Sequence, residues 1–186
     1  MSILKLTLPF IVVLAFFHMP FAYSQVDPDV PTDRIQWMSW EEALLKVQDE
    51  PRKIVLDIFA EWSEMCRHME STTFQHPELV RYINRNFYPV RLDAQSKGDL
   101  IYRDKTYSYV QRGKTGYHEL VAEFMRGQMS FPAVVFLDEQ LELIQSFVGY
   151  KTPIQFEKIS AYFGSDLYKQ TPWSTFQRTY TPCITE

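Results

Sequence analysis

A short apolar run followed by a helix-capping serine constrains the fold of this chain more than any other feature. Residues 53–59 are rich in β-branched side chains and almost continuously apolar, which is typical of a strand buried on both faces. Ser63 follows shortly after and suits the N-cap of a helix that carries Cys66 and Met69. A buried strand that runs directly into a helix favours an α/β domain.

Caps and apolar periodicity predict the other elements of the domain. Ser39 and Glu42 match a capping box, and prolines stand at the first turn of two later helices. In chain order we predict helices over residues 40–48 and from Pro77 to about 87, a strand over 88–92, an antiparallel hairpin of 133–137 and 144–148, and a helix over 153–164. Strands and helices alternate first, and a hairpin with a helix completes the domain.

Two further segments flank this alternation or interrupt it. The insertion, residues 95–128, is predicted to hold one hairpin, of residues 100–102 and 107–110, and a helix over 117–126. This insertion either covers the sheet or roofs the site, and we favour the covering role. Residues 165–186 are predicted to be a C-terminal tail, which is either mobile, as its polar composition indicates, or docked through Trp173 and Phe176, whose spacing suits one helical face.

The N-terminus has the three-part organisation of a secretory signal peptide. Lys5 precedes an apolar run, and small residues stand near position 24, so cleavage is predicted before Gln25. A membrane anchor is the less favoured alternative, because prolines shorten the run below the roughly 20 residues that a bilayer requires. Residues 25–34 form a flexible lead-in, and the domain itself spans 35–164. The predicted location is periplasmic or secreted, with no membrane span after cleavage.

Charge and cysteine content restrict the possible functions. A formal net charge of −4 provides no electrostatic basis for nucleic-acid binding. The two cysteines, Cys66 and Cys183, are too few for a disulfide scaffold, so thiol chemistry centres on Cys66 or on a pair of the two. Cys66 and His68 are two residues apart on a helix and point to different faces, so no metal site is predicted, and no cofactor is expected.

The sequence around Cys66 resembles a thioredoxin active site that has lost its first cysteine. Residues 56–62 resemble the buried strand and tryptophan corner of thioredoxins, and Ser63-Glu64-Met65-Cys66 stands where the family has Cys-x-x-Cys. The resemblance covers residues 35–164 and depends on the combination of Asp57, Trp62, Cys66, Pro132 and Gly149. Within the family, the sequence is most similar to secreted bacterial proteins. It implies a thioredoxin-like fold: a central mixed β-sheet flanked by helices, with an extra N-terminal helix and with the insertion before a cis-proline.

This resemblance also implies roles for individual residues. Cys66 matches the second cysteine of the motif and Asp57 matches its buried proton acceptor, so these two are the candidate catalytic residues. Pro132 matches the cis-proline that binds a substrate backbone. The candidate substrate-binding residues are Trp62, Ser63, Phe131 and Pro132.

Several alternatives remain open at this stage. Oxygen cannot form the mixed disulfide on which exchange depends, so Ser63 is expected to act as a helix cap. A serine hydrolase would need a histidine partner for Ser63, and the sequence gives no sign of one at this site. Cys66 and Asp57 form either a working thiol–base pair or an inherited pair without turnover. Cys183 is either an incidental exposed thiol, which we favour, or the missing second sulfur.

Two functions follow from these alternatives. The first is a cell-envelope protein of thiol-disulfide exchange lineage, with weak or absent dithiol reductase activity and single-cysteine chemistry at Cys66. The second is a non-catalytic peptide- or protein-binding module. For both functions the expected partner is a protein or peptide substrate. The thiol-disulfide exchange function also implies a redox partner.

Overall fold

The computed structural model describes residues 33–184, which belong to one compact unit. The predicted signal peptide and most of the predicted lead-in lie outside these residues. In chain order the elements are α1 (Trp40–Asp49), β1 (Ile54–Phe59), α2 (Glu64–Thr72), α3 (Pro77–Asn86), β2 (Tyr88–Asp93), β3 (Leu100–Tyr102), β4 (Lys105–Tyr107), β5 (Tyr109–Arg112), β6 (Thr115–His118), α4 (Glu119–Phe124), β7 (Ala133–Leu137), β8 (Leu143–Val148), α5 (Pro153–Gly164) and α6 (Trp173–Thr179). Short 3₁₀ helices follow α2 (Thr73–Gln75) and α5 (Leu167–Lys169).

A four-stranded mixed sheet forms the centre of the domain. Its strand order is β2-β1-β7-β8, in which β1 runs parallel to β2 and antiparallel to β7, and β7 pairs antiparallel with β8. The register places Asp57 of β1 opposite Arg91 of β2. This architecture confirms the predicted fold class, a central mixed sheet flanked by helices.

Side-chain alternation along the strands divides the core into two layers. Ile54, Leu56 and Ile58 of β1 face one cluster of buried residues, whereas Val55 faces the other. Asp57 therefore points to the same side as Val55, the side on which Met69 of α2 packs. The alternation thus directs the one acidic residue of β1 toward the helix that carries Cys66.

Local caps explain where the helices begin. Ser39 and Glu42 form the predicted capping box of α1, and Thr152 and Gln155 form a second one at α5. Pro77 occupies the first turn of α3, where a missing N–H costs nothing. The boundaries of these helices agree closely with the sequence prediction.

The insertion differs from its prediction, because it contains two hairpins instead of one. Arg103 and Asp104 both adopt positive φ, of 52° and 63°, so the first chain reversal is tight and β4 pairs with β3 over only three residues. A second reversal at Gly113 joins β5 and β6. The helix starts later than predicted, because His118 caps it by accepting a hydrogen bond from the amide of Leu120 at 3.2 Å.

The insertion covers one face of the sheet, as we favoured from the sequence. Tyr102 and Phe124 pack edge to face with ring centroids 5.0 Å apart, and both rings contact Trp40 of α1. The indole Nε1 of Trp40 donates a hydrogen bond to the carbonyl of Ile101 at 2.8 Å. These contacts bury the β1 face that points away from α2.

The C-terminal segment is packed on the domain and is not mobile, so of the two alternatives it follows the docked one. The ring of Phe176 in α6 lies 4.9 Å from that of Tyr162 in α5, and Phe176 and Ile184 are both buried. Trp173 remains 37% exposed. Aromatic packing on α5 therefore holds a segment whose polar composition suggested mobility. Within residues 33–184, no helix combines the length and apolar content needed to cross a membrane.

Candidate active site

Ser63 serves as the N-cap of α2 and also contacts the loop that faces this helix. Its Oγ accepts a hydrogen bond from the amide of Cys66 at 3.3 Å and donates one to the carbonyl of Phe131 at 3.5 Å. Ser63 is only 6% exposed. The hydroxyl is therefore engaged in capping, and it holds the start of α2 against the Phe131–Pro132 loop.

Cys66 lies in the first turn of α2 and is 5% exposed. Its thiol is free. The thiol of Cys183, near the C-terminus, is also free, and Cys183 is exposed. Cys66 lines a cleft of about 210 Å³, so its burial is incomplete on one side. The structure thus contains one cysteine at the turn and no disulfide between the two described cysteines.

Asp57 is a carboxylate without adequate compensation for its burial. It is 3% exposed, and the loss of hydration raises the pKa of its carboxyl from 3.8 to about 7. The nearby Arg91 opposes this rise, and the charge of Glu70 adds to it. A group that exchanges its proton near neutral pH is suited to accepting a proton from a thiol.

Arg91 and Glu70 complete the polar cluster, and sequence reasoning did not identify either of them. The guanidinium of Arg91 binds Glu70 in a bidentate pair, with NH1 to Oε1 at 2.7 Å and NH2 to Oε2 at 2.5 Å. Its Nε lies 3.3 Å from Oδ2 of Asp57 without the alignment of a hydrogen bond, and the group stacks 4.5 Å from the ring centroid of Phe59. The hydrogen bonds from Arg91 lower the pKa of Glu70.

A sequence signal for Arg91 exists in retrospect. Arg91 interrupts an apolar strand, just as Asp57 interrupts the neighbouring one, and parallel pairing places the two residues in register. An arginine in a strand beside a strand with a buried acid is an expected ion-pair partner. Glu70 gave no such signal, since an acid on an exposed helix face is ordinary.

Trp62, Phe131 and Pro132 form an aromatic surface next to the turn. Trp62 is 66% exposed, and its ring packs edge to face with that of Phe131, with centroids 6.1 Å apart. The peptide bond between Phe131 and Pro132 is cis, the conformation predicted from the sequence. The Pro132 carbonyl accepts a hydrogen bond from the amide of Gly149 at 2.7 Å, which fixes this loop to the end of β8. The structure thus brings these three residues together with Ser63, and their role in substrate binding stays a prediction.

Metal-binding groups are not clustered in the part of the chain that the structure describes. No set of three or more His, Cys, Asp or Glu residues is arranged to hold a metal ion within residues 33–184. His68 instead stacks on Tyr150, with ring centroids 4.9 Å apart, and His118 is buried as the cap of α4. These histidines therefore have structural contacts that account for them.

Comparisons with solved structures agree with the fold. A thioredoxin-fold protein from Helicobacter pylori matches with a TM-score of 0.53 at 16% identity, over 69% of this chain and 83% of that protein. A thioredoxin from Thermus thermophilus also matches with a TM-score of 0.53, at 15% identity over 80% of this chain and 99% of that one. At such identities the similarity concerns the fold alone.

Sequence comparisons identify the family. Spermatogenesis-associated protein 20 of Mus musculus is 32% identical over 84 residues, which are 44% of this chain and 10% of that protein. The chain thus spans about a tenth of the length of the curated relatives it matches. The family model Thioredox_DsbH, described as "Protein of unknown function, DUF255", matches residues 24–152. This chain has a thioredoxin-like fold. Because the family match covers well over half of the sequence, the chain belongs to the Thioredox_DsbH family.

Proposed function

We propose that this protein is a periplasmic or secreted member of the thiol-disulfide exchange lineage whose chemistry is limited to the single thiol of Cys66. The observation that carries the proposal is the capping hydroxyl of Ser63, 3.3 Å from the amide of Cys66, at the helix start where a dithiol enzyme needs its attacking sulfur. Oxygen cannot form a mixed disulfide. Dithiol reductase activity is therefore weak or absent.

A single thiol supports one exchange step per encounter. Asp57 accepts the proton of Cys66, and the sulfur attacks a disulfide of a protein or peptide substrate. The S–S bond breaks, a mixed disulfide with Cys66 forms, and the departing sulfur takes up the proton. Because residue 63 has no sulfur to release the substrate, a second thiol from a redox partner completes the cycle. The pKa of Asp57, raised by burial to about 7, supports its role as proton acceptor.

The aromatic surface supports binding of an extended peptide. Trp62 offers an exposed ring, and the Phe131–Pro132 loop lies beside it. An exposed tryptophan next to a fixed loop suits contact with a peptide, because the ring contributes a large apolar area at low conformational cost. The location proposal is supported by the signal-like sequence that ends before Gln25.

A second candidate function is a non-catalytic peptide-binding module. The contrast between Trp62, 66% exposed, and Cys66, 5% exposed, favours this candidate, because binding needs only the first of them. The two functions share a binding surface and differ in whether the thiol reacts.

Insulin reduction tests the main proposal. Wild-type mature protein should reduce insulin at close to the background rate, and Ser63→Cys should raise the rate by about tenfold or more, because it restores an attacking thiol at the helix start. Ser63→Cys combined with Cys66→Ala is the matched control and should lose most of this gain. Wild-type reduction at the rate of an ordinary thioredoxin would contradict the proposal.

Thiol labelling of the folded protein separates the two candidate functions. In a Cys183→Ser background, mass spectrometry reports on Cys66 alone. Labelling of Cys66 well before unfolding favours single-thiol chemistry. Protection of Cys66 until the protein unfolds favours the binding module.

A further inference from the structure

The cleft beside Cys66 is distinct from the aromatic surface of Trp62 and Pro132. Its walls are the end of β1 and the first two turns of α2, and Cys66 contributes to its lining. The four charged residues that line it are Glu61, Arg67, Glu70 and Arg91. Neither Trp62 nor Pro132 takes part in the lining. The cleft is thus a second approach to Cys66, from the side of β2, and is separate from the surface proposed for peptides.

The size of the cleft restricts what reaches the thiol from this side. Its volume is about 210 Å³, whereas pockets for drug-sized ligands hold roughly 300–1,000 Å³. A folded protein segment does not enter such a space. A group of amino-acid size does.

The charges of the cleft suggest which small group fits. Glu70 and Arg91 neutralise each other through their bidentate pair. The guanidinium of Arg67 donates to the main-chain carbonyl of Glu61 at 2.8 Å, and among residues 33–184 no ion pair involves the side chain of Arg67 or Glu61. Both side chains are exposed. The mouth of the cleft therefore offers one cationic and one anionic group without a charged partner.

We infer that this cleft admits small zwitterionic disulfides of the amino-acid class, such as cystine, to the thiol of Cys66. The carboxylate of the ligand pairs with Arg67 and its ammonium with Glu61. Cys66 attacks one sulfur, the S–S bond of the ligand breaks, and half of the ligand stays bound to Cys66 as a mixed disulfide. The other half leaves as a thiol with the proton from Cys66. The inference rests on the proposed reactivity of Cys66 and adds a second substrate class to the protein or peptide disulfides proposed above.

Three small disulfides of different charge test this inference. The reduced Cys183→Ser protein is treated with cystine, with the dication cystamine and with the dianion of 3,3′-dithiodipropionic acid, and the mixed disulfide at Cys66 is followed by intact mass. Each rate is divided by the rate for the same reagent with the unfolded protein, which removes differences in intrinsic reactivity. The highest ratio is expected for cystine.

Charge variants at the mouth identify the groups responsible. Arg67→Gln should slow cystine and the dianion by about two- to fivefold and spare cystamine, because exposed charge pairs contribute modestly. Glu61→Gln should slow cystine and cystamine by a similar factor and spare the dianion. Arg85→Gln and Glu41→Gln, at exposed positions outside the cleft, are the matched controls and should leave all three ratios unchanged.

Two results overturn the inference in distinguishable ways. Equal ratios for the three reagents, or ratios that neither mouth variant changes, mean that Cys66 reacts without selection by the cleft, and the single-thiol function stands. If none of the three reagents forms an adduct with Cys66 before the protein unfolds, the cleft does not admit small disulfides to the thiol. In that case the insulin and labelling experiments decide the proposed function independently.

Discussion

Two carboxylates in different regions of the molecule are almost equally buried, but the protein replaces their lost hydration to very different extents. Asp57, beneath α2, is 3% exposed, and Glu157, in α5, is 4% exposed. Glu157 accepts hydrogen bonds from the amides of Cys183 and Ile184, at 2.7 and 3.0 Å, and from the hydroxyl of Tyr180 at 2.9 Å. Among residues 33–184, the polar contact that the structure gives Asp57 is the one of 3.3 Å to Nε of Arg91.

The difference indicates what each carboxylate does. Hydrogen bonds from fixed donors replace the lost hydration of Glu157, so its charge is used to hold the C-terminal segment on α5. Burial and the hydrogen bond to Glu157 raise the pKa of Tyr180, so this donor keeps its proton. Asp57 lacks such donors, and its proton therefore exchanges near neutral pH. Incomplete compensation marks the candidate active site, and complete compensation marks the structural anchor.

The largest expected effect is the removal of a pH dependence by Asp57→Asn. The pKa of Asp57 rises from 3.8 to about 7 on folding, so between these values the folded state holds a proton that the unfolded state has released. The free energy of unfolding should therefore fall as pH rises through this window, by about 4 kcal/mol for the whole shift. Urea unfolding from about pH 4 to about pH 8 measures this slope.

Asp57→Asn should lack this part of the slope and should be more stable than wild type at about pH 8. Other acids titrate in both proteins, so the difference between the two curves isolates Asp57. Equal slopes would contradict the role assigned to burial. A loss of about 1 kcal/mol or more at high pH would mean that Asp57 belongs to a satisfied hydrogen-bond network.

A smaller loss is expected when the anchor carboxylate is removed. Glu157→Ala should lower the free energy of unfolding by about 3 kcal/mol, because two amides and one hydroxyl lose a charged acceptor. Glu157→Gln keeps one acceptor oxygen and should cost about 1 kcal/mol. Hydrogen exchange at the amides of Cys183 and Ile184 should accelerate in the same order. Unchanged exchange in Glu157→Ala would show that aromatic packing alone holds the segment.

The same comparison explains which features the sequence could predict. The order of the core elements and the caps at Ser39 and Ser63 follow from local patterns, because caps and apolar periodicity act within a few residues. Asp57 was recognisable since a charge inside an apolar strand is unusual. The meeting of Ser63 with the Phe131–Pro132 loop came from the family resemblance and not from periodicity.

Features that depend on contacts distant in sequence were not predictable in this way. The anchor at Glu157 joins α5 to residues more than twenty positions later, and nothing in the local sequence marks that acid as buried. The first hairpin of the insertion is limited to three residue pairs by the tight turn at Arg103 and Asp104, which needs positive φ at residues that seldom adopt it. Glu70 acquires its role only because α2 lies over β2.

The smallest expected effect comes from Glu70→Gln, which changes how well Asp57 is compensated. The Arg91–Glu70 pair is partly exposed, at 25% and 44% of the side chains, so its loss should cost only about 0.5–1 kcal/mol. The pKa of Asp57 should nevertheless fall below about 7, because a like charge disappears and Arg91 is free to turn toward Asp57. The pH slope of unfolding should then shift to lower pH. Glu78→Gln, which breaks the Arg81 pair on α3, is the matched control and should leave the slope in place. A slope unchanged by Glu70→Gln would mean that burial alone sets the proton affinity of Asp57.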